Sequence, residues 1–265
     1  MFAHAAWEAP PAVLVPAAVA LALFAQAFAR LRARGRPDHA PWWRAALFVA
    51  GVAAGVLALV SPIDTVGEDD LLSVHMLQHV LLGDVATALC LTALRGPLLF
   101  FLLPAPVLAP LARARGLRAA LRFVSRPRIA FALWALNLGV WHVPTIYDAV
   151  LTQPVLHDFE HACWLLAGVL VWTLLVDPAG HRRLGTGGRL ALAACLFAAG
   201  QALTDVLVFS FHPLYPAYGG AYGISATTDQ RLAGIVMMAD QLLMLGTFAA
   251  LLLRPRLRAA RLATA

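Results

Sequence analysis

Ser73-Val74-His75-Met76-Leu77-Gln78-His79 lies near the start of a long apolar run, Leu71 to Leu94. On a helix, His75 and His79 project from one face, one turn apart. A second pair with the same spacing, His157-Asp158-Phe159-Glu160-His161, opens another apolar run. Imidazole is costly inside a bilayer and rarely occurs there without a role. Two such pairs, both near helix starts, are the strongest chemical signal in the chain. If the runs that carry them cross a membrane, the other helices hold both pairs at one face of it.

Composition supports crossing. The chain has 265 residues, of which 61% are hydrophobic and only 13% charged. That is too apolar for an ordinary soluble domain and too poor in charge for disorder. Whole twenty-residue windows lack charge, where a soluble core would show amphipathic stripes, and the short alternating segments of a membrane β-barrel are absent. The expectation is an all-α, polytopic membrane helical bundle forming one domain over 1–265. The net charge is +6 and every basic residue is Arg. These arginines fall between apolar runs, so they read as topology signals in a lipid bilayer rather than as a nucleic-acid surface. Cys90, Cys163 and Cys195 stand singly inside apolar runs and read as buried free thiols.

Seven spans are expected, at 11–31, 42–60, 71–94, 128–147, 156–176, 189–211 and 229–253, each near the length that crosses a hydrocarbon core. The first resembles a signal peptide at Ala25-Gln26-Ala27. No positive charge precedes it, however, and Arg30, Arg32, Arg34 and Arg36 follow at once, so an uncleaved helix fits better. Residues 30–44 carry five Arg, 95–128 seven, 177–189 three and the tail after 253 four. The intervening stretches 61–70, 148–155 and 212–228 carry none, and 61–70 is acidic. This alternation predicts the N-terminus outside and the C-terminus inside. Pro97 to Leu111 is apolar but short and proline-rich. It reads as a broken extension of the third helix or as an interfacial segment, with Arg113 to Arg128 on the inner headgroups.

In that topology His75, His79, His142, His157, His161 and His212 all fall at the outer side, on four helices, and His4 in the outer tail. His39 and His181 fall in inner loops. Independent core histidines would scatter over both leaflets. His142 and His212 each also admit a structural reading, the first in an interfacial aromatic belt and the second as the end of its helix. The two spaced pairs point to a metal or haem. Asp84, Asp205 and Asp240 lie inside apolar runs with no cation in a neighbouring turn. Each must be protonated, paired with a His across helices, or close to a metal or water. On an ideal helix Asp84 points away from His75 and His79. Several His with Met nearby and no Cys pair leans toward copper. Haem, held by one His from each of two helices, is the competitor, although it does not account for the second His of each pair.

At these residues the chain resembles the CtaG-type cytochrome c oxidase assembly proteins of bacteria. His75-Met76-Leu77-Gln78-His79 is similar to that family's HMxQH element, and Trp141-His142-Val143-Pro144-Thr145-Ile146-Tyr147-Asp148 to its WHxPxxYD element. His157-Asp158-Phe159-Glu160-His161 resembles its HxxEH element, and Asp229-Gln230-Arg231-Leu232-Ala233-Gly234-Ile235-Val236-Met237 its DQxxAGxxM element. The resemblance implies a bacterial inner-membrane protein that assists assembly of a haem-copper oxidase, without catalysis. It would bind copper at the outer, periplasmic face and deliver it to an oxidase subunit, with periplasmic copper chaperones as further partners. His75, His79, His157 and His161 would be the ligands, with His142, Met237 and His212 as secondary candidates. Glu160 would orient a ligand histidine, and Asp229 and Gln78 would support the site. A haem-binding membrane cytochrome and a copper or cation transporter running inward over Asp84, Asp205 and Asp240 are the alternatives.

Overall fold

A computed structural model describes the backbone of residues 6–263 and the side chains of residues 6–255; His4 lies outside the described residues. Among these, every regular element is helical. The chain runs through α1 (Pro11–Ala33), α2 (Trp42–Val60), a short α3 (Pro62–Asp69) and α4 (Leu72–Ala93). Three small helices follow, α5 (Pro97–Phe101), α6 (Ala105–Arg113) and α7 (Arg115–Val124). Then come α8 (Pro127–Trp141), α9 (Pro144–Thr152), α10 (Pro154–Val176), α11 (Thr186–Phe209) and α12 (Ala226–Ala263). Proline opens α1, α3, α5, α8, α9 and α10, where its missing N–H costs nothing and its fixed φ suits the first turn.

Among the described residues, six helices are long and apolar enough to cross a membrane: α1, α2 (extended back to Pro37), α4, α10, α11 and α12 up to Pro255. The expected fourth span, 128–147, is not one continuous helix. α8 stops at Trp141, and the chain bends by 75° into α9. Val143 is extended, as the residue before a proline prefers, and Pro144 starts the new helix. If the bent pair α8 and α9 is one broken span, the count becomes seven. The stretch 97–124 forms only short helices; α6 and α7 bury no residue, consistent with a segment that does not span. Cys90 and Cys163 are half-buried and Cys195 is exposed, so the three thiols are free but less enclosed than their apolar neighbours suggested.

Two helices form the centre. The most apolar window of α4 is 50% buried within the protein and that of α10 is 56%, against 33% or less in the other four. Glycine sets their separation. A Cβ built on Gly168 of α10 would stand 1.8 Å from the Gly83 carbonyl oxygen of α4, so only hydrogen fits at that crossing. On the opposite side of α4, a Cβ on Gly51 of α2 would meet Cys90 Sγ at 2.7 Å. The last helix supplies the start of α4. Asp229 accepts hydrogen bonds from the Leu72 N–H (2.7 Å), the Ser73 N–H (3.1 Å) and Ser73 Oγ (2.5 Å). These satisfy N–H groups that the first turn of any helix leaves open.

α4 is not α-helical throughout. Residues Leu81–Ala86 form a π-helical turn. Asp84 is five residues after His79, which on an α-helix would place it about 140° around the axis. The wider winding of the π turn reduces that angle, and Asp84 lines the same cavity as His79. The expectation that Asp84 points away from the histidine face is therefore corrected, because it assumed an ideal helix.

Gly168→Ala should push α10 off α4 and lower stability by roughly 1–3 kcal/mol, the usual cost of overpacking a tight contact. Thermal unfolding of the detergent-purified protein reads this. Gly139→Ala, at a helical glycine with nothing within 4 Å of the added carbon, should leave the unfolding temperature unchanged or raise it.

Candidate metal centre

The crossing of α4 and α10 brings both histidine pairs together. His75 Nε2 and His79 Nε2 are 3.0 Å apart. Ring centroids are 4.1 Å apart for His157 and His161, 5.2 Å for His75 and His157, and 5.5 Å for His79 and His161. All four side chains are buried, and one ring nitrogen from each lies within 4.8 Å of the others. An ideal tetrahedral site with bonds of about 2.0 Å has donor atoms about 3.3 Å apart. The cluster is at that scale, slightly expanded, and small ring rotations would close it.

Neighbouring groups decide which nitrogen each ring offers. Tyr218 OH donates to the Gly67 carbonyl at 2.7 Å, so its oxygen accepts from His75 Nδ1 at 2.9 Å. The proton of His75 is therefore on Nδ1, and its Nε2 lone pair accepts from His79 Nε2 across the 3.0 Å contact. Glu68 at the end of α3 holds His157 Nδ1 at 2.6 Å, which leaves His157 Nε2 buried and without a partner. His161 Nε2 is buried and unpaired too. A carboxylate or hydroxyl on one ring nitrogen, with a bare lone pair on the other, is the arrangement that metal-binding imidazoles use. Burial of both tyrosines raises the pKa of Tyr218 and Tyr215, keeping their hydroxyls available as neutral hydrogen-bonding groups. Tyr215 OH donates to the His142 carbonyl at 3.0 Å and so ties the α8–α9 bend to the 212–225 loop.

Other expected site residues take different places. Glu160 is buried; its Oε1 accepts from Trp164 Nε1 at 3.2 Å and lies 3.7 Å from His79 Nε2, while its Oε2 has no partner. It thus borders the cluster rather than holding a ring nitrogen at hydrogen-bond distance. Gln78 turns to the other side of α4, donating to the Ala58 carbonyl (3.0 Å) and to Asp64. Asp229 caps α4 and touches no imidazole. His142 and Met237 line a small cavity below the cluster, not the cluster itself. His212 is exposed and stands apart from it. Asp205 is exposed and accepts from Gln201 Nε2 on its own helix at 2.7 Å; this is a local pair, not a link to a histidine.

Glu68 and Tyr218 were not singled out in the sequence. Both come from connecting segments, and no spacing relates them to the histidines. Asp64, beside Glu68 on α3, has its pKa pushed up to about 6 by burial and by the Glu68 charge. The acidic stretch 61–70 therefore sits against the buried cluster, and half-exposed Glu68 joins it to the surface.

The family model for the cytochrome c oxidase caa3 assembly factor (Caa3_CtaG) matches residues 22–259, which contain every residue of the cluster. No curated protein and no solved structure gives a significant match.

Glu68→Gln should weaken metal binding at the cluster by about 10- to 100-fold, the usual effect of losing a carboxylate behind a ligand histidine, with the protein still folded; a competition titration with a chromophoric chelator measures it. Asp64 gives a separate pH signature. Its folded pKa is raised from 3.8 to about 6, so its contribution to stability is full below about 3.8 and is lost as pH rises through 6. In Asp64→Asn, that part of the pH dependence of thermal unfolding should vanish.

Proposed function

Because the chain belongs to the cytochrome c oxidase caa3 assembly factor family, we propose that it is the copper-handling step of assembling a haem-copper oxidase. It takes copper at the outer, periplasmic face of the bacterial inner membrane on His75, His79, His157 and His161. It then passes the ion to an oxidase subunit and performs no catalysis. The observation that carries this reading is the cluster itself: four buried imidazoles on two crossing helices, with donor atoms within 4.8 Å of one another.

Imidazole donors suit copper among the transition metals, and four neutral ligands leave the ion exchangeable. All four rings, and not one ring from each helix, contribute to the cluster, which favours a single ion on four nitrogens over a haem held axially by two. Counting α8 and α9 as one broken span gives seven spans, and the alternating arginine loops support an orientation with the N-terminus outside and the C-terminus inside. The cluster then lies at the outer ends of α4 and α10, under the acidic stretch 61–70. Its carboxylates attract an arriving cation, and a periplasmic copper chaperone would supply it. The receiving subunit must reach the same end.

Double substitution His79→Ala, His161→Ala removes one ligand from each helix. The purified variant should lose stoichiometric copper by elemental analysis, and cells carrying it should keep the membrane protein but lose copper-dependent oxidase activity. His181→Ala, at an exposed residue outside the cluster, should match the parent in both. Protons compete with metal for the imidazole lone pairs, so affinity of the parent should fall as pH is lowered. Parent-level copper in the double variant would refute the four-histidine site.

A further inference from the structure

Below the four imidazoles, a cavity of about 40 Å³ lies between α4, α8, α10, α11 and α12. Met76, His79 and Asp84 of α4 line it, with His142 from the α8–α9 bend and Met237 and Asp240 of α12. Its volume admits a water molecule or an ion.

Four features of this cavity point to a ligand. His142 Nδ1 lies 2.8 Å from the Leu138 carbonyl. A carbonyl only accepts, so the proton is on Nδ1 and Nε2 carries a bare lone pair. That Nε2 is buried and has no partner, in a side chain only 7% exposed; an orphaned acceptor costs about 1–3 kcal/mol. Two thioethers share the cavity, Met76 at 1% and Met237 at 7% exposure. Thioether sulfur is a soft donor that selects monovalent copper over harder ions. Lastly, the Asp84 and Asp240 carboxyls lie within hydrogen-bond reach of each other at the cavity wall. Trp172 Nε1 donates to Asp84 Oδ1 at 2.8 Å. The two carboxyls set acidic oxygens at the wall of an otherwise largely apolar cavity, beside the soft donors.

His79 belongs to both places. Its Nε2 faces His75 in the cluster, and its ring lines the cavity. We propose that the cavity is a second metal subsite, taking a soft monovalent ion, Cu(I), on the Met76 and Met237 thioethers and His142 Nε2, and adjoining the four-histidine centre across the His79 ring. The inference rests on the copper-handling reading above and extends it: the protein holds two ions in unlike ligand fields, one all-nitrogen and one sulfur-containing. An ion in the inner subsite is shielded from the aqueous face by the His79 ring.

The test loads the detergent-purified full chain with Cu(I) under reducing conditions and reads stoichiometry by elemental analysis and ligation by X-ray absorption at the copper edge. The parent should bind two equivalents, with sulfur scattering at full loading. Met76→Leu, Met237→Leu conserves volume and should fold; it should bind one equivalent with nitrogen scattering only. His157→Ala, His161→Ala should keep the sulfur-ligated equivalent. Zn(II) should bind the parent and the methionine variant equally. Absence of sulfur scattering in the fully loaded parent, or equal Cu(I) stoichiometry in parent and methionine variant, would overturn the second subsite. Failure of the four-histidine reading is distinguishable: copper would then be insensitive to the histidine substitutions, whatever the sulfur signal shows.

Discussion

The backbone contact between Gly83 and Gly168 is the constraint on which the site depends. Imidazoles on facing helices reach only a few ångströms past their Cβ atoms, so four of them converge only if the helix axes are close. With a side chain at Gly168, the Gly83 carbonyl would have to move, and the rings about one to three turns away would separate with it. Helix association in a membrane gains little from apolar burial, because lipid is as apolar as the partner helix. Small residues that permit close backbone contact replace that driving force. The two helices meeting here are also the two most buried in the protein.

Closeness alone would leave the rings free to rotate. Polar groups from segments distant in sequence fix them. Asp229 of α12 closes the first turn of α4, which sets where His75 and His79 stand along the helix. Tyr218, between α11 and α12, holds the His75 ring, and Glu68 of α3 holds His157. Three segments distant in sequence therefore converge on one pair of helices. Each contributes a hydrogen bond that would be weak in water and is worth more where water is scarce.

The parts of this arrangement that sequence made legible are those governed by local periodicity and residue type. The i, i+4 spacing identified both histidine pairs, and apolar run length identified the long helices to within a few residues. Pro144 marked a break that the expected span 128–147 nevertheless ran through, since hydropathy does not register a 75° bend. Asp84 was placed on the wrong side because nothing in Leu81–Ala86 announces a π turn. Glu68 and Tyr218 were invisible for a different reason: their role exists only after the chain has folded. His212 shows the converse, a histidine that the sequence offered as a candidate and that packing leaves at the surface, outside the cluster.

The cluster gathers unpaired polar atoms in the interior of the fold. His157 Nε2, His161 Nε2, His79 Nδ1 and Glu160 Oε2 are all buried without a partner, and each orphan costs about 1–3 kcal/mol. A soluble protein would relieve this by letting water in or by collapsing around the gap. Here the glycine crossing prevents collapse. On the copper-handling reading, a cation would engage these lone pairs, which no protein group satisfies. The same reading requires release, and the same donor set would limit retention. Neutral imidazoles supply no counter-charge of their own, so the balance between holding and release rests on the nearby carboxylates. Glu68 is half-exposed and holds His157, so any group that covered it would change the field at the buried ring.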